Sequence, residues 1–386
     1  MWNGLSLIAP EVARNNLRAV LERSGDRILV GGEYWDAVVW ILGAWHHFLC
    51  TGDREFLTLA RRVGADTLRQ REETEFDPAD GLFRGPGWSD GVAAYPDKYA
   101  ASGRSAILAW QEPRPERRIK VGIGFPMKAL STNCLYFGAY QTLERMDRAL
   151  DLDGGQWTQK AAAIKDAINR RLWDESLGNY RFFIDPDGAC DLQEGLGAAY
   201  AILFGVADAR QAASVFARQH VTPAGVPCGW PNLSRYSSAD GLSFGRHIGT
   251  VWPQIQGFWA EAAARHGRVD LLQHELFALA RHAVRDQQFA ELYHPITGLP
   301  YGGLQEGPTG GGIILWEAKP RQSWAATAFI RMIVQGVMGM RFEPDGLRFQ
   351  PCVPEGLGRL VLRGVRYRGM LLDVEITGHG TKIRRR

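Results

Sequence analysis

The sequence predicts an all-α protein, a closed toroid of helical hairpins with a small antiparallel β appendage at its C-terminal end. Helical periodicity dominates from about residue 11 to residue 340. Long connections rich in Gly, Trp and Pro recur between the helical segments, and after residue 340 the pattern changes to the alternation of half-buried strands. These observations together favour a helical body with its loops gathered at one end.

The composition is that of an ordinary globular chain, with 45% hydrophobic and 23% charged residues among 386. The 45 Lys and Arg and 42 Asp and Glu residues are scattered and give a net charge of +3, which excludes the electrostatic footprint of a nucleic-acid partner. Five cysteines without CxxC spacing argue against a zinc site or disulfide framework. No apolar run approaches the ~18 residues that span a bilayer. We expect no membrane partner, and a cytoplasmic location as the chain stands, or a periplasmic or secreted one if an upstream segment precedes it.

Roughly ten segments carry the helical period. The first is EVARNNLRAVLERSG, from Glu11, and the second, YWDAVVWILGAWHHFLC, is apolar on nearly all sides, which predicts a buried inner helix. Thr51 and Gly52 end it, and Asp53 can cap the next helix, EFLTLARRVGADTLRQ, so that the two form a tight hairpin. The remaining segments begin at Ala129, Gln156, Leu196, Ala209, Val251, Val269 and Ser323.

Consecutive helical hairpins build either an open solenoid or a closed toroid. No fixed short repeat is visible, and an inner helix that is apolar nearly all round favours the closed form. Beyond Met340, Leu372, Val374 and Ile376 alternate with polar residues, which is the period of a strand with one buried face. We expect a toroid domain over residues 1–340 and a β appendage over residues 341–386 packed on it.

Three long connections, Phe76 to Lys128, Val221 to Gly249 and Tyr293 to Arg321, are too aromatic to be disordered, and loops longer than ~12 to 15 residues are usually functional. Sugars offer apolar C–H faces and hydroxyl edges, so their sites combine aromatic rings with carboxylates and amides. A single Trp beside a polar residue is more often part of the core. The pairing recurs here, which predicts a ring-lined polar pocket; the pairs are Trp35-Asp36, Trp88-Ser-Asp90, Trp110-Gln111, Trp252-Pro-Gln254, Trp316-Glu317 and Gln322-Ser-Trp324.

Glycoside cleavage requires two carboxyl groups, an acid for the leaving oxygen and a second group opposite it. Asp90, in GWSDG beside Trp88, is a candidate acid because an aromatic, poorly hydrated wall raises a carboxyl pKa. An Asp before Gly also fits an Asx turn or a helix N-cap. The second carboxylate is Glu291 or Glu306, in FAELYHPITGLPYGGLQEG, and at least one of these two fits a solvated loop position.

In this order, these stretches resemble the (α/α)6 glycoside hydrolases of family 63, especially the mannosylglycerate hydrolase-like group. The resemblance covers most of the chain. It rests on WDAVVWILGAWHHFLCTGD, GWSDG, PMKALSTNCLYFGAY, GTVWPQIQGFW, AELYHPITG, RQSWAATAF and DGLRFQPCVP. It implies six helical hairpins, of which we expect the first helix to be lacking here. It also implies Asp90 as general acid and Glu291 as general base. It also implies that Trp252 contacts substrate and that Trp35 and Asp36 line the pocket.

The acid loop departs from the Ser-Gly-x-Asp order of the family, since it reads Trp-Ser-Asp-Gly, so the acid could instead fall at Asp97. We expect an inverting glycoside hydrolase that cleaves a small α-linked saccharide or glycoside without a cofactor. The expected substrate-binding residues are Trp35, Asp36, Arg84, Trp88, Tyr95, Trp252, Gln254, Tyr293, Gln305, Glu306 and Trp324.

Three other functions remain open. A sugar phosphorylase would need an anion-binding loop, for which GPTGGG, around Pro308 to Gly312, is a faint candidate. An epimerase would need a pair of histidines, which His46 and His47 fit poorly because neighbours on a helix point to different sides. The third is a non-catalytic carbohydrate-binding or scaffold protein.

Overall fold

The computed structural model describes residues 5–32, 34–87, 95–100, 125–307, 312–377 and 380–386. The described residues form eleven α-helices in chain order. They are α1 (Leu5–Ile8), α2 (Pro10–Ala19), α3 (Asp36–Thr51), α4 (Arg54–Glu75), α5 (Leu130–Ala149), α6 (Gly155–Arg171), α7 (Gly195–Leu203), α8 (Ala209–Arg218), α9 (Pro253–Arg265), α10 (Val269–Asp286) and α11 (Ser323–Arg331). A π-helical turn, Met332–Val337, continues α11.

The helices form two layers of a toroid. The inner helices α3, α5, α7, α9 and α11 pack side by side in this order, and α4, α6, α8 and α10 each pack outside the inner helix that precedes them. The inner helices are the more apolar ones: every residue of α9 except Arg265 is buried. A helix without a polar face must be covered on all sides, so these segments occupy the centre.

All five inner helices run in the same direction. Residues from the N-terminal ends of α3, α9 and α11, namely Asp36, Gln254 and Ser323, lie around one groove. Residues from the C-terminal halves of all five lie around another pocket. This arrangement follows from the hairpins, because each outer helix returns the chain to the end at which it started.

The ring has a seam between its first and last inner helices. There α3 and α11 line a groove of about 460 Å³, which we call the seam groove, together with residues of α2. Among the described residues there are five inner helices, and four of them are followed by an outer helix. This part of the chain therefore holds four complete hairpins and not the six that the resemblance implies.

The helix predicted from Glu11 is wrong in its second half, because α2 ends at Ala19. The residues that follow form an antiparallel hairpin, β1 (Leu21–Ser24) and β2 (Arg27–Val30). Gly25, with φ of +58°, makes the turn in a conformation that favours glycine. The Gly-Asp turn outweighs the helical period here.

Short antiparallel strands brace the loops. They are β3 (Phe76–Asp77), β4 (Leu82–Phe83), β5 (Lys128–Ala129), β6 (Trp173–Asp174), β7 (Asn179–Tyr180), β8 (Phe183–Asp185), β9 (Gly188–Cys190), β10 (Gln193–Glu194), β11 (Gly229–Trp230), β12 (Leu304–Glu306) and β13 (Ile313–Leu315). The pairs are β3 with β4, β6 with β7, β10 with β11 and β12 with β13, while β5, β8 and β9 form a three-stranded sheet.

The C-terminal β appendage follows the predicted alternation. It consists of the hairpin β14 (Met340–Glu343) and β15 (Gly346–Phe349) and the sheet β16 (Leu360–Tyr367), β17 (Met370–Thr377) and β18 (Gly380–Arg385). Leu372, Val374 and Ile376 are buried and join the core cluster of the helical body. The backbone N–H of Arg368 donates to the carbonyl of Cys50 at 2.8 Å, which ties the sheet to the end of α3.

Within the described ranges, no helix combines the length and the apolar character that crossing a bilayer requires.

Close packing of α9 on α11 depends on Gly257. A Cβ atom at this position would lie 2.9 Å from the Cβ and 3.1 Å from the Cα of Ala328. We therefore expect Gly257→Ala to lower the free energy of unfolding by about 1–3 kcal/mol, since overpacking outweighs the better helix propensity of Ala. Urea denaturation followed by circular dichroism measures this. Gly358→Ala, where a Cβ would meet nothing within 4 Å, is the control; equal stability of both variants would contradict the packing argument.

A buried carboxyl group couples α10 to the loop before α9. Glu275 is fully buried and accepts hydrogen bonds from the backbone N–H of Val226 and from Gln256 Nε2, both at 2.9 Å. Burial raises its pKa from 4.5 to about 8. The folded state therefore keeps a proton that the unfolded chain loses, and the unfolding free energy falls between about pH 4.5 and pH 8 by at most about 1.4 kcal/mol per pH unit.

Glu275→Gln, which keeps an acceptor for both donors, should remove this slope. The measurement is the unfolding free energy at several pH values across this window, wild type against variant. Glu317→Gln, at an exposed carboxylate, should leave the slope unchanged. A slope that persists in Glu275→Gln would rule out this group as its source.

Candidate active site

The N-terminal ends of the inner helices carry a cluster of loop residues bound to one another. Val251, just before α9, exchanges backbone hydrogen bonds with Tyr293 at 3.0 and 2.9 Å. Leu304, in β12, donates to the carbonyl of Phe244 and accepts from the N–H of Arg246. Two of the three long connections predicted to be functional therefore contact each other at the N-terminal end of α9.

Glu291 lies at the centre of this cluster, with its side chain 10% exposed. Its Oε1 accepts a hydrogen bond from Arg246 Nη2 at 2.6 Å, and its Oε2 accepts from the backbone N–H of Lys319 at 3.1 Å. Arg246 is itself held, because its Nη1 donates to the carbonyl of Gly302 at 3.0 Å and its guanidinium lies 6.0 Å from the ring centre of Trp316. These contacts fix the orientation of the carboxylate.

Glu306 belongs to a second ion pair on β12. Its Oε1 accepts from Arg235 Nε at 2.9 Å and its Oε2 from the hydroxyl of Tyr236 at 2.7 Å. Arg235 Nη1 also donates to Asp97 Oδ1 at 2.8 Å. Burial and the bond to Glu306 raise the pKa of Tyr236, which therefore stays a donor. Asp97, the alternative acid, is exposed and linked through Arg235 to Glu306.

Four polar atoms of this region are shielded from solvent and have no hydrogen-bond partner among the described residues. They are Trp252 Nε1, Gln254 Oε1, Gln305 Oε1 and Trp316 Nε1. Buried polar groups are normally paired, and an unpaired one calls for a water or a ligand. Two indole donors and two amide acceptors match the two hydrogen-bonding roles of a hydroxyl group.

Aromatic rings extend from these atoms to the seam groove. The ring of Trp252 stacks on His247 at 5.1 Å and meets Trp324 edge-on at 5.8 Å. Trp324, Gln254 and Asp36 line the seam groove, where Trp324 is 45% exposed. The structure thus brings together four of the residues predicted to bind substrate: Asp36, Trp252, Gln254 and Trp324.

Other predicted site residues lie in the protein interior. Tyr293 is fully buried, its hydroxyl accepts from the N–H of Ala290 at 2.8 Å, and its ring stacks on His282 at 4.5 Å. Tyr95 is 1% exposed and packs its ring against Phe125 and Phe182. Both rings are core residues in the described structure and not walls of an open pocket.

Arg84 and Trp35 hold the segment that precedes the predicted acid. The side chain of Arg84 lies 3.7 Å from Asp77 and donates to the carbonyl of Thr74, so it turns back to the end of α4. Trp35 is buried, and its Nε1 donates to the carbonyl of Pro86 at 3.2 Å, an oxygen that also accepts from Thr132 Oγ1.

Tyr34 also holds the segment that precedes the predicted acid. Its hydroxyl donates to the carbonyl of Arg84 at 2.5 Å, and its ring lies where a Cβ on Gly85 would come within 2.5 Å of Cζ. Trp88 and Asp90 themselves lie outside the described residues, so the predicted acid stays a prediction.

The sequence analysis did not single out Arg246, Arg235, Tyr236 or His247. All four lie in the connection from Val221 to Gly249, which was predicted to be functional as a whole. One signal could have found the two arginines. A buried loop carboxylate requires a cationic partner, and the neighbouring connections supply the arginines that can serve as one.

The structure also bears on the residues considered for an epimerase, a phosphorylase and a metal site. His46 and His47 are buried in the C-terminal half of α3, and His47 Nδ1 lies 3.2 Å from Ser6 Oγ. Pro308 to Gly311 lie outside the described residues. In the part of the chain that is described, no three His, Cys, Asp or Glu side chains are grouped to hold a metal ion.

Comparison with known proteins identifies the family. The model of the mannosylglycerate hydrolase MGH1-like glycoside hydrolase domain matches residues 37–324, and the chain belongs to this family. Residues 340–386 match the model of the glycosyl hydrolase family 65 C-terminal domain. The family resemblance stated from the sequence is confirmed.

A curated relative, a mannosylglycerate hydrolase of Rubrobacter radiotolerans, is 27% identical over 199 residues, which cover 48% of this chain and 43% of the relative. Among solved structures, a sialidase superposes with a TM-score of 0.65 at 15% identity over 92% of this chain and 31% of its own. A family 63 mannosylglycerate hydrolase from Thermus thermophilus gives a TM-score of 0.57 at 17% identity, over 78% of this chain and 77% of its own. These structures share the fold, a helical toroid.

The ion pair between Arg246 and Glu291 can be tested by a double-mutant cycle. Both side chains are nearly buried, at 12% and 10% exposure, so removing one partner leaves an uncompensated charge. We expect Arg246→Gln and Glu291→Gln each to lower the unfolding free energy by about 3 kcal/mol, and the double variant to lose clearly less than the sum.

The control cycle uses Arg348 and Asp345, a surface pair at 68% and 67% exposure, for which the coupling should be below about 1 kcal/mol. The measurement is urea denaturation of all variants at one pH. Additive losses at Arg246 and Glu291 would show that the two groups do not depend on each other.

Proposed function

We propose that this chain is the catalytic part of an inverting glycoside hydrolase that acts on a small α-linked saccharide or glycoside. The observation that carries the proposal is the oriented Glu291 carboxylate, held by Arg246 at the mouth of the toroid in a chain of this family. The unpartnered donors and acceptors of Trp252, Gln254 and Trp316 nearby support a ligand rich in hydroxyl groups.

Glu291 serves as the general base. It removes a proton from a water molecule as that water attacks the anomeric carbon, and Arg246 holds the carboxylate in position. Asp90 serves as the general acid, which protonates the leaving oxygen from the other face of the sugar. An inverting enzyme separates the two carboxyl groups by ~6.5–9.5 Å to admit the water.

The choice of Glu291 over Glu306 rests on the family resemblance and on the contacts. Glu306 is the more enclosed of the two, with a side chain 5% exposed, and it is bound to Arg235 and Tyr236. Its role in this proposal is to hold Arg235, which contacts Asp97 in the loop that follows Asp90.

Mannosylglycerate is the first substrate to test, because the curated relative and one of the solved structures are named mannosylglycerate hydrolase. Aryl α- and β-glycosides and short disaccharides complete the set. The configuration of the product that forms first, read by proton NMR, distinguishes inversion from retention. Turnover that requires phosphate would indicate a phosphorylase, and binding without any turnover would indicate a non-catalytic protein.

The two carboxylates are tested by substitution. Asp90→Asn and Glu291→Gln should each lower kcat by roughly 10²–10⁴-fold, the usual contribution of a positioned acid or base. Asp345→Asn, at an exposed carboxylate between β14 and β15, is the control and should keep full activity. Steady-state kinetics on folded variants provide the measurement.

Azide provides a check specific to the base. In Glu291→Ala, azide can occupy the place of the water and attack without a base, which should restore turnover and yield a glycosyl azide of inverted configuration. If azide instead rescues Glu306→Ala and not Glu291→Ala, the base is Glu306.

A further inference from the structure

A second polar pocket lies at the opposite end of the toroid. It has a volume of about 280 Å³ and is lined by the C-terminal halves of the five inner helices and by β14. Along α3, the rise from Asp36 at the seam groove to His46 at this pocket is roughly 15 Å, at 1.5 Å per residue. The pocket is therefore separate from the candidate active site.

Positive side chains outnumber negative ones around this pocket. Four guanidinium groups face two carboxylates; they are Arg145, Arg265, Arg331 and Arg341 against Glu261 and Glu343. His46, which also lines it, adds no charge, because burial and the neighbouring Arg331 lower its pKa to about 3. We call this site the basic pocket.

The buried carboxylate of the basic pocket accepts hydrogen bonds from two arginines. Glu261 Oε1 accepts from Arg265 Nη2 at 2.5 Å, and its Oε2 accepts from Arg331 Nη1. Burial alone would raise the pKa of Glu261, but Arg265 and the other guanidinium groups outweigh it and lower the pKa to about 2. Glu261 thus forms hydrogen bonds with two of the four arginines, and Arg341 is not one of them.

One guanidinium nitrogen of Arg341 makes no hydrogen bond to the described residues. Its Nη1 donates to the carbonyl of Gln335 at 2.5 Å, whereas its Nη2 is shielded from solvent and has no partner among the described residues. Burial, together with repulsion by Arg265, lowers the pKa of Arg341 to about 10. Helix C-termini attract guanidinium groups, which explains the contact with Gln335 but leaves Nη2 without an acceptor among the described residues.

We propose that the basic pocket binds a small phosphate-type oxyanion, with Arg341 Nη2 as the buried donor and Arg145 and Arg265 closing over the anion. Guanidinium groups present paired N–H donors in the geometry that phosphate oxygens accept. The oxyanion is either inorganic phosphate or the phosphate group of a small metabolite. The proposal does not depend on the activity proposed for the other end.

The test measures binding of inorganic phosphate to the purified protein by isothermal titration calorimetry. A parallel experiment compares unfolding temperatures in phosphate and in chloride at equal ionic strength. We expect saturable binding at one site and stabilisation by phosphate beyond that by chloride. Glucose 6-phosphate is titrated separately: tighter binding than phosphate identifies a metabolite as the source, and equal or weaker binding identifies free phosphate.

Two variants locate the site. Arg145→Gln removes an exposed pocket arginine, so it should fold normally and weaken phosphate binding about tenfold, the loss of one charge-assisted hydrogen bond. Arg341→Gln should abolish binding; because Arg341 also braces β14, circular dichroism must first show that this variant is folded, and Arg145→Gln carries the test if it is not. Arg348→Gln, on the neighbouring strand β15, is the control and should bind phosphate like the wild type.

Two results would overturn the proposal. One is equal stabilisation by phosphate and chloride. Another is unchanged affinity in Arg145→Gln together with saturation only at molar concentration, which would mean an adventitious ion only.

Discussion

The fold depends on one constraint, the need to bury helices that have no polar face. A helix such as α9, with all but its last residue buried, gains the hydrophobic free energy of its full circumference only if other helices surround it. The outer helices α4, α6, α8 and α10 provide that cover and return the chain to its starting end. The inner helices consequently run in parallel, and the toroid acquires two chemically different ends.

The two ends differ because a helix is polar along its axis. N-termini present unpaired N–H groups and C-termini present unpaired carbonyls, which act as partial charges of opposite sign. Accordingly, the carboxylates Glu291 and Glu306 lie with the loops at the N-terminal end, and arginines gather at the C-terminal end. The same polarity that organises the fold thus separates the candidate active site from the basic pocket.

Burying a carboxylate in a loop that excludes most water costs free energy, and a neighbouring cation offsets this cost. Glu291 is compensated by Arg246, and Arg246 is placed by Gly302 and Leu304 of the adjoining connection. The ion pair thus joins the connection that ends at α9 to the connection that ends at α11.

The pattern of the sequence by itself determined the helical body, the order of most hairpins and the strand alternation in the appendage, because helix and strand periods follow from local backbone geometry. It also pointed to the long connections. It did not determine which of two neighbouring side chains lines a groove: Trp35 and Asp36 project about 100° apart at the start of α3, and Trp35 is buried while Asp36 lines the seam groove. Only the tertiary structure decided that Arg246, 45 residues before Glu291, would be its partner, because the distance between loops depends on the packing of the whole ring.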